Sequence, residues 1–186
     1  LTYSRIFHLY IEFRNSVISE KVDEDPHINI TQKYLDKLAN YSLYHKDCSD
    51  IPRDKARQYA NQICRNRKWS ESLLYWTLRE NLLFETKQDG DSVMFGFQKL
   101  GNFLMADVFK RSKMSDEDKI DRIIEWSKQP SFRSFISALL TDWDLTPKLL
   151  NKESKSISNI IPIILDSFKI ALTEISVGQI SGPVGT

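Results

Sequence analysis

Between Ser70 and Lys110 the chain changes its hydrophobic period twice, and few folds accommodate that. From Ser70 to Glu80, Leu73, Leu74, Thr77 and Leu78 recur at helical spacing. Leu82-Leu83-Phe84-Glu85 is then a short apolar run, and Lys87-Gln88-Asp89-Gly90-Asp91 supplies a turn. Val93, Phe95 and Phe97 alternate with Ser92, Met94 and Gly96. Such alternation marks a half-buried strand, and Gly90 is free to take the positive φ that hairpin turns require. Helical period returns from Gln98 to Lys110 through Leu100, Phe103, Leu104 and Val108. The segment predicts helix, β-hairpin, helix. A hairpin alone is marginal in water, so this one must lean on neighbouring helices.

Helical stripes flank it on both sides. Ser4 to Ser19 places Ile6, Leu9, Tyr10, Phe13 and Val17 on one expected inner face. Thr31 to His45 follows, with Thr31 as N-cap and Leu35, Leu38, Ala39 and Leu43 inside. Asp47 to Pro52 reads as a turn, and Pro52 to Arg65 as a helix with Pro52 in the first position and Ala56, Tyr59, Ala60, Ile63 and Cys64 inside. Ser115 caps an acidic first turn (Asp116, Glu117, Asp118) ahead of Ile120, Ile123 and Ile124. Ser131 is the expected cap of a helix burying Phe132, Phe135, Ile136, Leu139 and Leu140. Asp144 to Ser158 reads as a polar linker and Asn159 to Ile175 as a helix apolar on more than one face. The fold expected is mainly α, a helical bundle with a winged-helix-like unit containing one β-hairpin. Its expected organisation is a connecting helix over 1–27, the winged-helix-like domain over 28–112, a helical, repeat-like region over 113–175 and a flexible tail over 176–186.

Composition narrows the chemistry. A chain of 186 residues with a 41% hydrophobic share can bury a sizeable core. Its net charge of +1 gives no global field toward nucleic acid or an anionic membrane. Cys48 and Cys64 form no CxxC pair, and His8, His27 and His45 lie in separate elements, so no metal site is expected. No apolar stretch reaches the roughly 20 residues of a membrane span. The chain shows no signal peptide and opens on Leu1, which suggests a cytoplasmic excerpt of a longer protein. GxxxxGK[ST], GxSxG and HExxH motifs are absent, as is a GxGxxG after a strand, and no nucleophile, base and orienting group come together. No catalytic residue is singled out, and no enzymatic activity is expected of this chain.

Winged-helix units can place a helix in the DNA major groove. The candidate helix, Ser70 to Glu80, carries Glu71, Arg79 and Glu80, a neutral to acidic set ill suited to a groove. The basic side chains Arg53, Lys55, Arg57, Arg65, Arg67 and Lys68 sit on the preceding segment. They are the candidate contacts if the chain binds nucleic acid, an alternative that the charge balance disfavours. Trp76, off the main stripe of its helix, is a candidate interface anchor.

The stretch Val93-Met94-Phe95-Gly96-Phe97-Gln98-Lys99-Leu100-Gly101-Asn102-Phe103-Leu104-Met105-Ala106 resembles the F-x-F/Y-x-x-L-G-D-x-L-x-A pattern found downstream of the nucleotidase module in bacterial STAND (NACHT-type) NTPases, among them the antiviral Avs-like proteins. Leu73-Leu74 and Glu80-Asn81-Leu82-Leu83 are similar to the preceding helix and first wing strand there, and Ser4 to Glu20 to the element after the ATPase core. The resemblance covers roughly Leu1 to Ala106, and more loosely Ile120 to Leu140. It implies a non-catalytic regulatory segment that packs on the nucleotidase module and links it to a C-terminal sensor. The expected partners are other domains of the parent chain and, on activation, further copies of it. ATP and magnesium would belong to the parent. The family often has a histidine at the start of the helix after the wing; Gln98 stands nearest to it and is the candidate nucleotide sensor, while Asn102 replaces the family's acidic residue. The expected packing motif is Phe95, Phe97, Leu100, Gly101, Phe103 and Leu104, with both wing phenylalanines turned into the helices.

Overall fold

Asn15 decides which side of the first helix faces inward. In the computed structural model, which describes residues 3–45, 50–65, 68–86, 90–141 and 161–162, α1 (Tyr3–Lys21) buries Ile11 and Ile18 together with the polar Asn15 and Ser19, and Val22 just beyond its end is buried too. The Asn15 amide donates to the Pro26 carbonyl at 2.7 Å, and its oxygen accepts from the Thr31 backbone N–H at 3.1 Å. These bonds tie α1 to the turn and helix that follow. The expected inner face is overturned: Ile6, Leu9 and Phe13 are exposed, Phe13 by 62%. Ile11, Ile18 and Val22, with half-buried Phe7 one turn before, have the same helical spacing and take the inside, because the polar groups beside them find partners there.

The helix α2 (Ile30–Tyr44) starts two residues earlier than the Thr31 cap implies. Asn29, at φ 51°, is the actual cap, its side-chain oxygen accepting from the Gln32 amide at 3.3 Å. Thr31 is fully buried, its amide already engaged by Asn15. With Tyr34, Leu35, Leu38 and Leu43 buried, α2 is the axis on which α1, α3 (Arg53–Ile63) and α5 (Gln98–Lys110) pack.

Ahead of α3, where the sequence suggests only a turn and a helix start, Ile51–Pro52 forms a short strand, β1. It pairs antiparallel with β3 (Ser92–Phe95), Ile51 opposite Val93, and β3 pairs with β2 (Leu83–Glu85). The three-stranded order is β1-β3-β2. Proline is tolerated because β1 lies at the edge of the sheet. Two residues, one of them Pro, carry no readable period, so the sequence could not disclose this strand. A 3-10 turn at Trp69–Glu71 leads into α4 (Leu73–Arg79), capped by Ser72, whose hydroxyl accepts from the Tyr75 amide at 3.1 Å. The succession α2, β1, α3, α4, β2, β3 is a winged-helix-like arrangement, as expected, with the hairpin as its wing and Gly90 at φ 68° in its turn.

The chain divides into two compact units, Leu1–Arg111 and Ser112–Thr186, and α1 belongs to the first. In the second, α6 (Asp116–Ser127) begins as read: the Ser115 hydroxyl accepts from the Asp118 amide at 3.1 Å, and three acids face the positive end of the helix dipole. α7 (Arg133–Thr141) has no separate cap, because a 3-10 turn at Pro130–Phe132 runs straight into it and Ser131 is exposed inside that turn. Phe132, Phe135, Ile136, Leu139 and Leu140 are all buried, and Trp126 stacks on Phe132 with centroids 5.2 Å apart. The expected linker, the tail and all of the expected last helix but Ile161–Pro162 lie outside the described residues, as do Lys87–Asp89 of the wing turn.

Candidate interaction surfaces beside the wing

The expected packing motif splits into two groups. Phe95, Leu100, Gly101 and Leu104 are buried where β3 meets α5. A β-carbon on Gly101 would lie 2.8 Å from the Phe95 ring, so the missing side chain is what lets α5 settle against β3. Phe97 meets a helix, as expected, but a different one from Phe95, and it is not buried with it. β3 ends at Phe95, Gly96 donates back to the Leu82 carbonyl at 2.8 Å, and Phe97, at φ −152°, is the N-cap position of α5. It remains 40% exposed and lies against α1, 5.8 Å from Phe7 and 5.9 Å from Tyr10. Phe103 joins the same side, 5.2 Å from Phe7 and edge-on to His8 at 5.0 Å.

A half-exposed aromatic corner of α1 and α5 results, continued along α1 by Ile6, Leu9 and Phe13. Arg14 lies beside Tyr10 and Phe13 and donates to Glu80 at 2.6 Å, linking α1 to the end of α4. Burial works against the Arg14 charge, but Tyr10 and Glu80 more than offset it and hold the guanidinium above its ordinary pKa. Gln98 is exposed at the first position of α5, and Phe97 offers no side-chain cap there. The start of α5 therefore presents the exposed side chains of Gln98 and Lys99, while the Leu100 and Gly101 amides are bonded to the Phe97 carbonyl.

The basic cluster is likewise divided. Arg53 is structural: it pairs with Glu85 at 2.9 Å, donates to the Gly90 carbonyl at 3.3 Å and covers Trp69 at 5.1 Å, bracing the wing against the helices. Lys55 bonds Gln58 on its own helix at 3.1 Å. Arg57, Arg65 and Lys68 are exposed, and Arg67 lies outside the described residues. Sequence reasoning set Arg79 aside with Glu71 and Glu80 on a helix judged ill suited to a groove. Arg79 is exposed on α4, its Nε donates to the Tyr75 hydroxyl at 3.1 Å, and its guanidinium lies 5.5 Å from that ring. Spacing four apart on one helix was the signal available. Trp76 is half-buried, edge-on to Tyr75 at 5.3 Å, and its indole nitrogen is buried without a hydrogen bond.

The histidines stand apart. His8 meets Phe103, His27 is exposed in the turn after α1, and His45 ends α2, stacked on Tyr41 at 3.7 Å with Nδ1 donating to the Tyr41 carbonyl. Among the described residues no helix is long and apolar enough to cross a membrane. Comparisons with protein-family models, curated proteins and solved structures each return no match.

Proposed function

We propose that this chain is a non-catalytic regulatory and interaction segment of a larger STAND-type NTPase, packing on the nucleotidase module and linking it to a C-terminal sensor, with antiviral defence as the setting. The observation that supports this reading most is the outward row Ile6, Leu9 and Phe13 beside exposed Phe97. A helix that is apolar on both sides has its second side suited to a protein neighbour. That row adjoins the wing–α5 corner, whose sequence carries the STAND-like pattern. On this reading ATP and magnesium are held by the parent, the partners are its other domains and, on activation, other copies of it, and the setting is the cytoplasm. Gln98, exposed at the first position of α5, is the side chain this reading assigns to the nucleotide.

The test is to extend the protein with its natural upstream residues and to assay the upstream module for association with this segment. An Ile6→Ser/Leu9→Ser/Phe13→Ser variant is expected to lose association at least tenfold while the segment keeps its melting temperature. An upstream sequence without Walker motifs, or association indifferent to the triple substitution, ends the proposal.

A further inference from the structure

Residues 53–79 carry seven Arg and Lys side chains against only two acids, Asp54 and Glu71, although the whole chain has a net charge of +1. The structure sorts these charges in a way that composition cannot. Glu80, which makes α4 look acidic in the sequence, is neutralised by Arg14. Arg53 is committed to Glu85 and the wing, and Lys55 to Gln58. Arg57, Arg65, Lys68 and Arg79 remain in solvent, against exposed Asp54 and Glu71. Arg57 lies one turn beyond Arg53 on the side of α3 that meets Trp69, and Lys68 directly precedes Trp69. Trp69 stands edge-on to Tyr75 at 5.5 Å, and Tyr75 holds Arg79 outward. Among the described residues the two terminal nitrogens of Arg79 are unengaged, so a pre-positioned guanidinium fork faces solvent.

We infer that the outer face of α4 with the adjoining side of α3 is a docking surface for duplex DNA, Tyr75 and Arg79 toward the groove and Arg57, Arg65 and Lys68 on phosphates. Three arguments select this occupant. A polyanion with about one charge per 1.7 Å suits cations spread over two helices better than a single acidic side chain does. Single-stranded nucleic acid is bound largely by stacking on aromatic faces, and here Arg53 lies over Trp69 and Arg79 over Tyr75. A-form RNA has a major groove too narrow for a helix. The inference does not depend on the regulatory reading: the two use different surfaces, and either can fail alone.

The test uses the full chain and a fluorescein-labelled DNA duplex of about 24 base pairs, with fluorescence anisotropy read from about 50 to about 200 mM salt. Binding is expected with a log–log salt slope of about −3, the value for three phosphate contacts. Lys68→Ala should weaken binding and reduce the slope by about 1, Arg79→Ala should weaken binding and flatten its dependence on base sequence, and Lys55→Ala should do neither. Glu71→Gln removes the acid on this face and should tighten binding. All these side chains are exposed, so circular dichroism should report unchanged folding. No binding at about 50 mM salt, binding that survives loss of Arg57, Arg65, Lys68 and Arg79 together, or tighter binding to a single strand of the same length would each overturn the inference.

Discussion

Gly101 of α5 sits beneath the ring of Phe95 in β3, so close that a β-carbon would stand 2.8 Å from Cδ2 and 3.2 Å from Cγ. Gly96, at the end of the same strand, faces backbone instead: its β-carbon would run into the Asn81 carbonyl oxygen, with the Asn81 carbonyl carbon only 3.0 Å away. A ring can tilt and a carbonyl in a tight turn cannot. Gly101→Ala should cost about 1 kcal/mol, because helix propensity offsets part of the overpacking. Gly96→Ala should cost about 3 kcal/mol, near the upper end of the overpacking range. Urea unfolding of the two variants checks the order, and equal losses would contradict it.

Asn15 makes a second test, one in which a more apolar residue should destabilise. Asn15→Leu would leave the Thr31 N–H and the Pro26 carbonyl without their partner, and the Thr31 amide bond is buried. The expected loss is about 3 kcal/mol, from desolvated groups left unpaired. Asn15→Asp keeps an acceptor for Thr31 but sets a carboxylate against the Pro26 carbonyl, so it should not restore stability. A thermal melt of Asn15→Leu at or above the parent's would refute the account.

Tyr34 gives a pH dependence whose sign follows from burial. The phenol is wholly buried, donates to the Ala56 carbonyl at 3.1 Å, and has its pKa driven far above the ordinary value near 10 by desolvation. Below about pH 10 both folded and unfolded chains hold the proton, and the stability is intact. Above it the unfolded chain releases the proton and the folded chain does not, so stability falls by about 1.4 kcal/mol per pH unit from this group. Tyr34→Phe should lose about 1 kcal/mol at neutral pH and remove that increment of the alkaline slope. Urea titrations at neutral and at alkaline pH distinguish the two effects.

Arg14 and Glu80 form a part-buried pair, their side chains 28% and 18% exposed. Glu80→Gln should cost about 1–2 kcal/mol, because the Arg14 charge loses its counter-ion. Arg14→Met with Glu80→Gln should recover part of that loss. A double-mutant cycle with a coupling energy near zero would mean that the pair contributes nothing to seating α1 on α4.

Where the sequence could be read, a single period spoke for each element. Gln98–Lys110 is bounded in the structure where the recurrence of Leu100, Phe103, Leu104 and Val108 bounds it. The hairpin was legible because Val93 and Phe95 alternate with polar or small neighbours and Gly90 stands in the turn. The inner side of α1 was not, because two apolar rows share the helix and the choice rests on Asn15, whose hydrogen-bond partners lie 11 and 16 positions away. The surface charges were not legible either. A list of acids and bases does not say that Glu80 is matched by Arg14 or that Arg53 braces the wing, so the residues left exposed differ from those the composition highlights.

The two residues of β1 also bear on the order in which the first unit assembles. Pairing Ile51 with Val93 closes a loop of about forty residues, whereas β2 and β3 meet across a turn, so the hairpin can form well before its third strand arrives. The last seam to close is then the first to open in the native state. The Arg53 amide, bonded to the Asp91 carbonyl at 2.7 Å, should exchange with solvent sooner than the amides of β3 paired to β2, and the reverse order in hydrogen exchange would show the seam to be early. One side of β3 is then a hinge line and the other a foundation.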